Sequence, residues 1–407
     1  MTILMVTKSF LLLLILPLAS ANNLASDGGA QAPLRTKAPS PPPPEKWAGY
    51  FTPWTHRPYC PPETPYCVFT NAAYPSLDNG VSILANPDEA SSSLTALAQL
   101  FLDDTTKSTK TSGQTQEKQP YKITPLPGKG LGLVATRRIP QGEVLTVDYA
   151  ALVADSAFPS KMKREQGRVL LRKAIERLPR VKEVMELARS GKDATGDVGE
   201  VDVEDVVKTN SFTLRIGGES YMALFPTIAR INHACNPSAF TRFDEKTLSN
   251  TVIAFREIKK GEEITISYSE FGLTRAERQH ILQAKWGFTC TCSLCTASQD
   301  EITASDARRL KIKALGPQVV QQVQSAQFRL AIELNREMVD LIAAEKLIPH
   351  MGEHYEVMAR LHMGAGNKKE AKKYAKLAIA DLEKFASGWG KETEETLAEL
   401  KELVKRI

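Results

Sequence analysis

Three of the chain's six cysteines fall within six residues, at Cys290, Cys292 and Cys295. A hydrophobic core does not require such a density of thiols, whereas a structural zinc site takes four nitrogen or sulfur ligands in a tetrahedron. We therefore predict a four-cysteine Zn²⁺ site in which Cys235 is the fourth ligand. The alternative is a buried free Cys235 beside a separate redox or disulfide element formed by the cysteine run.

Two further motifs precede the cysteine run. Asn-His-Ala-Cys-Asn-Pro occupies residues 232–237, and Gly-Glu-Glu-Ile-Thr-Ile-Ser-Tyr occupies residues 261–268. Each motif alone is short enough to recur by chance, but together with Phe-x-Cys-x-Cys-x-x-Cys at residues 288–295 they form a specific set. This set resembles a SET-domain protein lysine methyltransferase with a post-SET zinc clip.

The resemblance implies a mainly β SET fold, with short strands in a pseudoknot-like arrangement, a helical insertion, a post-SET zinc clip and an all-α C-terminal domain. We expect a signal peptide at residues 1–21 and a Pro-rich and aromatic N-terminal segment with a linker at 22–118. The SET domain would cover 119–272, with its insertion at about 155–208. The zinc region would then cover 273–298, and a helical domain resembling tetratricopeptide repeats (TPR-like) would cover 299–407.

The resemblance also implies an activity, the S-adenosyl-L-methionine-dependent N-methylation of a lysine in a histone or non-histone protein. Such an enzyme must hold amine, methyl carbon and sulfur in line, and must present a neutral amine although the reference pKa of lysine is about 10.4. Burial in an aromatic channel lowers that pKa, and a tyrosine hydroxyl can orient the amine. The resemblance assigns this catalytic role to Tyr268; the alternative is an ordinary aromatic residue at a strand end.

Cofactor contacts are implied in four separate segments. By the resemblance, Asn232 and His233 hold the cofactor by hydrogen bonds, and Phe288 stacks on its adenine. Read from the residues alone, the Gly-x-Gly at 128–130 could be only a tight turn, Asn210 only a turn former, and His233 a core histidine. The full implied set is Gly128, Lys129, Gly130, Asn210, Asn232, His233 and Phe288.

Three positions depart from the family pattern. Ala234 stands where the family usually has Ser, Ser238 where it has Asn, and Trp286 where it often has Tyr. The first two remove polar partners near the cofactor, and the third removes a hydroxyl from the lysine channel. These departures and the predicted signal peptide favour a rival hypothesis, a non-catalytic SET module that binds partners through its helical C-terminus and its aromatic N-terminal segment. A second rival is a secreted, disulfide-stapled interaction protein with a degenerate SET domain.

The N-terminus has the three parts of a secretory signal peptide. Lys8 precedes an apolar run from Phe10 to Leu18, and Ala19-Ser20-Ala21 follows as a cleavage site. The run is shorter than the roughly 20 residues of a membrane span, and no later stretch is long enough either. We predict the secretory pathway or the extracellular space as the location. If the N-terminus is not a cleaved signal peptide, the alternative location is the nucleus or cytoplasm.

Residues 22–118 change character twice. A Pro-rich linker at 22–45 is followed at 46–76 by eight aromatic residues interleaved with prolines around Cys60 and Cys67. If the signal peptide is used, these two cysteines are the natural disulfide pair, since the other four are assigned to the metal. The aromatic residues could bind a partner or cover the chain's own core. Residues 91–118 are polar and are predicted to be a loop or disordered connector.

The middle of the chain reads as strands around a helical insertion. Residues 121–139, 143–153, 239–258 and 262–268 have strand patterns, another short strand is expected to start at 209–212, and 161–190 read as helix. The insertion is basic first and acidic after it, which favours a solvated face over a substrate-steering surface. Residues 151–232 contain neither Cys nor His, so a zinc-binding MYND module is excluded. The chain therefore resembles a fungal-type SET protein related to the SET-and-MYND subfamily but without MYND.

The last third of the sequence is predicted to be helical. Thr274-x-x-Glu277 is a capping box that should begin a helix ending near Trp286. Beyond Cys295, a domain that packs on the SET domain is expected, with a plain helical bundle as the alternative to a TPR-like arrangement. The formal net charge of +5 is too near balance to imply a nucleic-acid binder by itself, and the sequence has no direct nucleic-acid motif. The C-terminal helical domain is a candidate site for a protein partner. One tetratricopeptide repeat would make its contacts between helices at the positions of Tyr355, Ala359, Gly366, Ala371, Ala375 and Ala378.

Overall fold

A computed structural model describes residues 53–62, 64–87, 97, 99, 101, 119–188, 203–270, 272–347, 351–386, 388–389 and 391–407. The predicted signal peptide and the Pro-rich linker lie outside these residues, as does most of the predicted connector at 91–118. Within the described residues, short strands dominate the first two thirds of the chain and helices dominate the last third. The predicted fold class, mainly β with an all-α C-terminal region, is therefore confirmed.

The strands form three sheets, with orders β1-β2-β6-β8-β7, β3-β4-β12-β9 and β13-β10-β11-β5. Their bounds are β1 (Cys67–Asn71), β2 (Val81–Ala85), β3 (Tyr121–Leu126), β4 (Gly130–Ala135), β5 (Val144–Tyr149), β6 (Leu152–Asp155), β7 (Ser211–Ile216), β8 (Glu219–Leu224), β9 (Asn232–His233), β10 (Ala239–Asp244), β11 (Ser249–Ala254), β12 (Glu263–Ile266) and β13 (Gly388–Trp389).

The helices divide into an insertion, a single helix before the cysteine run, and a C-terminal group. Their bounds are α1 (Arg164–Glu176), α2 (Val181–Met185), α3 (Val203–Asn210), α4 (Arg275–Trp286), α5 (Gln299–Gln324), α6 (Phe328–Ala344), α7 (Met351–Gly364), α8 (Lys368–Phe385) and α9 (Lys391–Arg406). Among the described residues, no helix is long and apolar enough to cross a membrane.

Strand β12 is the element that assembles the centre of the molecule. Its first half pairs antiparallel with β4, and its second half pairs parallel with β9, so that Thr265 lies opposite Asn232 and Ile266 opposite His233. Ile264 and Ile266 are buried, which fixes the face that β12 turns to the core, because a one-residue slip would expose both. This pairing brings two motifs about thirty residues apart in sequence into contact.

The aromatic N-terminal segment covers the chain's own core rather than a separate surface. Trp54, Phe69 and Tyr74 are buried, and Cys60 and Cys67 form the expected disulfide. Within the predicted connector, Leu97 and Phe101 also lie in this core, and the Phe101 ring is 4.6 Å from that of Tyr74. Residues 94–102 around them are mostly apolar, whereas the connector prediction followed the polar composition of residues 91–118 as a whole. Trp47, Tyr50 and Phe51 lie outside the described residues.

The helical insertion, α1 to α3, lies between β6 and β7 and covers one face of the five-stranded sheet. Leu170, Leu171 and Ala174 of α1 are buried against Leu84 and other apolar residues of that sheet. The predicted strand from residue 209 begins only at Ser211.

Helices α5 to α9 form the C-terminal region and contact the rest of the chain at several points. Phe385 of α8 packs its ring 5.7 Å from that of Phe240 on β10, and β13 pairs with β10. Ala359, Ala371, Ala375 and Ala378 are completely buried, as the repeat spacing requires. The TPR-like character of the domain stays a prediction.

Candidate functional site

The four predicted cysteine ligands lie together. The Sγ atom of Cys235 is 3.5 Å from that of Cys295 and 3.9 Å from that of Cys290, and the four Sγ atoms, including that of Cys292, all lie within 4.8 Å of one another. Zinc–sulfur bonds of about 2.3 Å place the sulfurs of a tetrahedron about 3.8 Å apart. The donor set and its spacing therefore fit one tetrahedral metal ion.

Helix α4 sets the position of the cysteine run. Thr274 caps it with the expected capping box, in which the Thr274 backbone N–H donates to Glu277 at 2.7 Å. The helix ends at Gly287, whose φ of 71° is a left-handed conformation that glycine adopts without strain. Gln279 then accepts from the backbone N–H of Cys290 and donates to its carbonyl, both at 2.8 Å. The run is thereby folded back onto the helix that precedes it.

Arg278 on α4 is a feature of the metal site that the sequence did not reveal. Its side chain is almost completely buried, donates to the Leu273 carbonyl at 2.5 Å, and has an Nε atom without a hydrogen-bond partner. Burial opposes its charge, but the sulfurs of Cys235 and Cys295 raise its pKa. Since four thiolates on Zn²⁺ carry a net charge of −2, a buried guanidinium beside them is a suitable counter-charge.

His233 connects the cysteines to the strand that carries Tyr268. Its Nδ1 accepts from the backbone N–H of Tyr268 at 3.0 Å, so its Nε2 carries the hydrogen and faces the Cys235 sulfur at 3.2 Å. Burial lowers the pKa of His233 to about 4, which keeps the ring neutral near pH 7. A metal ligand held by a histidine N–H in this way has a fixed orientation.

The Tyr268 side chain is half-buried and directed into the molecule. Its hydroxyl donates to the Ile231 carbonyl at 2.6 Å. Three rings surround it, with centroids 5.1 Å away for Trp286, 5.3 Å for His233 and 6.5 Å for Phe288. The phenol is therefore held in one position by a hydrogen bond and aromatic contacts.

A single cavity of about 1980 Å³ lies beside these rings. This volume exceeds the roughly 300–1,000 Å³ of a typical small-ligand site, so it has room for two ligands. Cys290 and Cys292 also contribute to its wall. The cavity is lined by the predicted catalytic residue and by every predicted cofactor-binding residue: Gly128, Lys129, Gly130, Asn210, Asn232, His233, Tyr268 and Phe288.

Glu263 joins two of the predicted cofactor segments, a role that the sequence did not indicate. Its carboxylate accepts from Lys129 Nζ at 2.6 Å and from the Asn232 side-chain amide at 3.0 Å. That amide also donates to the Leu131 carbonyl at 3.2 Å. Gly132 permits this approach, because a Cβ atom there would be 2.7 Å from the amide nitrogen. Gly128 and Gly130 adopt positive φ, and a Cβ on either would meet only open space, so the 128–130 turn leaves its backbone open to the cavity.

Asn210 is the last residue of α3 and not part of a strand. Its side-chain amide donates to the carbonyls of Val206 and Leu187, at 2.8 and 3.2 Å, so it fastens the end of the helix as well as lining the cavity. The expected strand start at residue 209 was thus two residues early, because this local hydrogen bonding extends the helix.

Two of the family departures have structural roles. Ser238 is buried, and its hydroxyl accepts from the Thr265 backbone N–H at 2.9 Å. Trp286 donates its indole N–H to the Thr209 carbonyl at 3.1 Å, which ties the end of α4 to the end of the helical insertion. The Trp286 indole therefore lies between the end of α4 and the end of α3, where it forms part of the cavity wall.

Part of the chain is similar to known proteins. Residues 130–269 match the family model described as the SET domain. Over 204 residues the chain is 29% identical to Histone-lysine N-methyltransferase set5 of Schizosaccharomyces pombe, a match that covers 48% of this chain and 57% of that protein. Over 82 residues it is 42% identical to Histone-lysine N-methyltransferase ATXR2 of Arabidopsis thaliana, covering 20% of this chain and 17% of that protein.

A third relative is N-lysine methyltransferase SMYD2 of Homo sapiens, which is 33% identical over 106 residues, or 26% of this chain and 24% of that protein. The chain thus spans between 17% and 57% of the length of these three relatives. Residues 130–269 thus match the SET domain, and over part of its length the chain is similar to proteins named as lysine methyltransferases.

Proposed function

We propose that this protein transfers a methyl group from S-adenosyl-L-methionine to the side-chain amine of a lysine in a protein. The observation that carries the proposal is the convergence of the seven predicted cofactor residues, from four separate segments, on one cavity beside the Tyr268 hydroxyl. Bound S-adenosyl-L-methionine would supply an electrophilic methyl carbon on a sulfonium. The open backbone at 128–130, the Asn232 segment and the Phe288 ring offer it polar and aromatic contacts.

The chain's own residues would prepare the lysine. The rings of Tyr268, Trp286 and Phe288 form an aromatic wall that excludes water, and desolvation lowers the pKa of an amine. The Tyr268 hydroxyl and the Ile231 carbonyl, 2.6 Å apart, are polar groups that can orient the amine nitrogen. Positioning of this kind accounts for most of the work that a displacement at a methyl carbon requires.

We propose Zn²⁺ as the metal of the cysteine cluster. An all-thiolate tetrahedral site is typical of structural zinc, and such a site is closed to substrates. Because Cys290 and Cys292 line the cavity and Phe288 precedes them by two and four residues, the metal would hold the aromatic wall in place. The metal's role would then be structural, since a segment of this length has little core of its own.

We further propose that the protein passes through the secretory pathway. The proposal rests on the predicted signal peptide and on the Cys60–Cys67 disulfide, a bond that persists in oxidising compartments. The substrates would then be proteins of that pathway or of the extracellular space. A histone, as named for two of the relatives, is the alternative substrate if the chain stays in the cell.

Isothermal titration with S-adenosyl-L-methionine, followed by transfer of a labelled methyl group to bulk protein, tests the function. The wild type should bind the cofactor and label lysines, and Tyr268→Phe should bind it but transfer at least about 100-fold more slowly, as expected for loss of a proton-handling hydroxyl. Tyr149→Phe is the matched control, because Tyr149 lies outside the cavity. Cofactor binding without transfer would favour a non-catalytic SET module, and absence of binding would refute the proposal.

A further inference from the structure

Helix α8 carries five lysines within nine residues, and all five lie on one side of the helix. At 100° per residue they cover an arc of about 140°. Lys368, Lys369, Lys373 and Lys376 are exposed, and Lys372 is partly exposed. We call these five residues the lysine face: Lys368, Lys369, Lys372, Lys373 and Lys376.

The lysine face forms a shallow groove with the end of α9. The groove has a volume of about 820 Å³ and is completed by Leu377 and Ile407. Among the described residues, no Asp or Glu side chain lines it. Glu370 pairs with Lys373 at 3.3 Å at the edge of the face, and Lys405 and Arg406, next to Ile407 in the chain, add positive charge nearby.

We propose that the lysine face binds the phosphate backbone of duplex nucleic acid. From residue 368 to residue 376 the helix rises about 12 Å, and B-DNA carries one negative charge per about 1.7 Å of its axis. About seven phosphate charges, counted over both strands, lie along this length of duplex, and the face can meet those on its own side with up to five ammonium groups. Lysine is suited to this contact because it is a flexible point charge, which needs no fixed geometry in its partner.

An acidic protein is the competing partner, and the composition of the face argues against it. Interfaces between proteins are depleted in lysine and enriched in aromatic residues, methionine and arginine. Interfaces with DNA are much more positive and more polar. The groove contains five lysines, two aliphatic residues and no aromatic side chain. The near-neutral whole-chain balance of +5 does not weigh against this, because a nucleic-acid site depends on the local clustering of positive charge, and five lysines cluster on this face.

This binding would be independent of methyl transfer. The lysine face belongs to the C-terminal helices, and none of its residues lines the cavity beside Tyr268. A nucleic acid held there would anchor the protein and would not be the substrate; this anchoring belongs to the alternative location, in which the chain stays in the cell. Binding can therefore be measured without S-adenosyl-L-methionine, so that the failure of one proposal leaves the other intact.

The test uses the full chain, a labelled 20-base-pair DNA duplex of arbitrary sequence, and fluorescence anisotropy over a range of salt concentrations. Release of condensed counterions predicts a slope of about −4.5 for log Kobs against log [salt] if five lysines contact phosphates. The variant Lys368→Gln/Lys372→Gln/Lys376→Gln should flatten this slope by about 2.7 and weaken binding more than tenfold at 0.1 M salt. Because all three side chains are at least partly exposed, the variant should fold normally.

The matched control is Lys122→Gln/Lys259→Gln/Lys260→Gln, which removes the same charge from exposed positions elsewhere. It should bind the duplex nearly as the wild type does. Equal weakening by both triple variants, or no binding of duplex by the wild type, would overturn the proposal. The proposal would also be overturned if the protein bound a poly-glutamate peptide and did not bind the duplex, because its partner would then be an acidic protein.

Discussion

Arg278 shows how a single buried side chain can define the chemistry of its surroundings. Its nearly complete burial would be costly beside four neutral thiols, because a buried charge needs a partner. Beside four thiolates that bind a divalent cation, the same guanidinium neutralises part of the remaining negative charge. The arginine is thus better explained with the metal than without it.

Replacing Arg278 by Met should weaken zinc binding, because it removes the counter-charge and leaves the apolar part of the side chain. We expect zinc affinity to fall by about 10- to 100-fold, as for other groups that support metal ligands. Competition with a chromogenic chelator measures this affinity directly. Arg275→Lys is the control, since Arg275 contacts the Cys295 carbonyl and not a sulfur. Unchanged zinc affinity in Arg278→Met would contradict the assigned role.

Asp381 provides a second test at the residue scale, through pH. Burial raises the pKa of its carboxyl to about 6, while a hydrogen bond from the Gly352 N–H and the charge of Lys384 oppose this. Its Oδ2 has no hydrogen-bond partner. Because the folded-state pKa lies above the unfolded value of about 3.9, this group stabilises the fold most below pH 4. That contribution is lost as the pH rises through 6.

Asp381→Asn should therefore unfold at a higher urea concentration than the wild type above pH 6. The difference should shrink as the pH falls toward 4, since both side chains are then neutral. Urea unfolding at several pH values measures it, and Asp340→Asn, at an exposed position of α6, is the control. A pH-independent difference between Asp381→Asn and the wild type would contradict the raised pKa.

Among the elements, α5 and α6 show how the C-terminal helices hold the zinc region. Glu345, directly after α6, accepts from Arg309 at 2.7 Å and from Arg308 at 2.6 Å. Arg309 is almost completely buried and also lies close to the Leu273 carbonyl, the group that accepts from Arg278. The ion pair therefore connects two C-terminal helices to the start of α4.

Glu345→Gln should destabilise the protein by about 3 kcal/mol, because it leaves the Arg309 charge buried without its partner. Urea or thermal unfolding provides the measurement. Glu333→Gln removes an exposed carboxylate from the same helix and should change the stability by less than about 0.5 kcal/mol. If the two variants unfold alike, the buried pair does not support this junction.

The elements also show what the sequence could and could not predict. The capping box at Thr274, the cysteine run and the strand ending near Tyr268 were predictable, because local patterns or spaced motifs specify each of them. The contacts of Leu97 and Phe101 were not, since they involve Trp54 and Tyr74 from an earlier segment. The apolar run at residues 94–102 indicates burial, but local composition does not identify the residues that it packs against.

Residue roles that depend on charge partners were missed for the same reason. Arg278, Glu263 and Glu345 occupy positions that read as ordinary polar residues of a helix or strand. Their partners come from other elements, and only the folded chain brings them together. The eight predicted site residues do line one cavity, and the strand pairing between β9 and β12 explains why the Asn232 and Tyr268 motifs meet there; their roles stay predictions.

For the whole molecule, we propose that one metal ion, held by Cys235 and the later cysteine run, builds the wall of the cavity beside Tyr268. The lone cysteine follows β9 and the run follows α4, so the metal would join the SET strands to the segment that carries Phe288. Loss of the metal should therefore affect ligand binding at a distance from the sulfurs.

The most direct measurement is S-adenosyl-L-methionine binding by calorimetry on protein with its metal, on protein treated with a chelator, and on Cys292→Ser. Thr291→Ser is the control, since its exposed side chain is not a ligand. We predict one zinc ion per chain in the wild type and in Thr291→Ser, and joint loss of zinc and cofactor binding in the other two samples. Normal cofactor binding by metal-free protein would contradict the account.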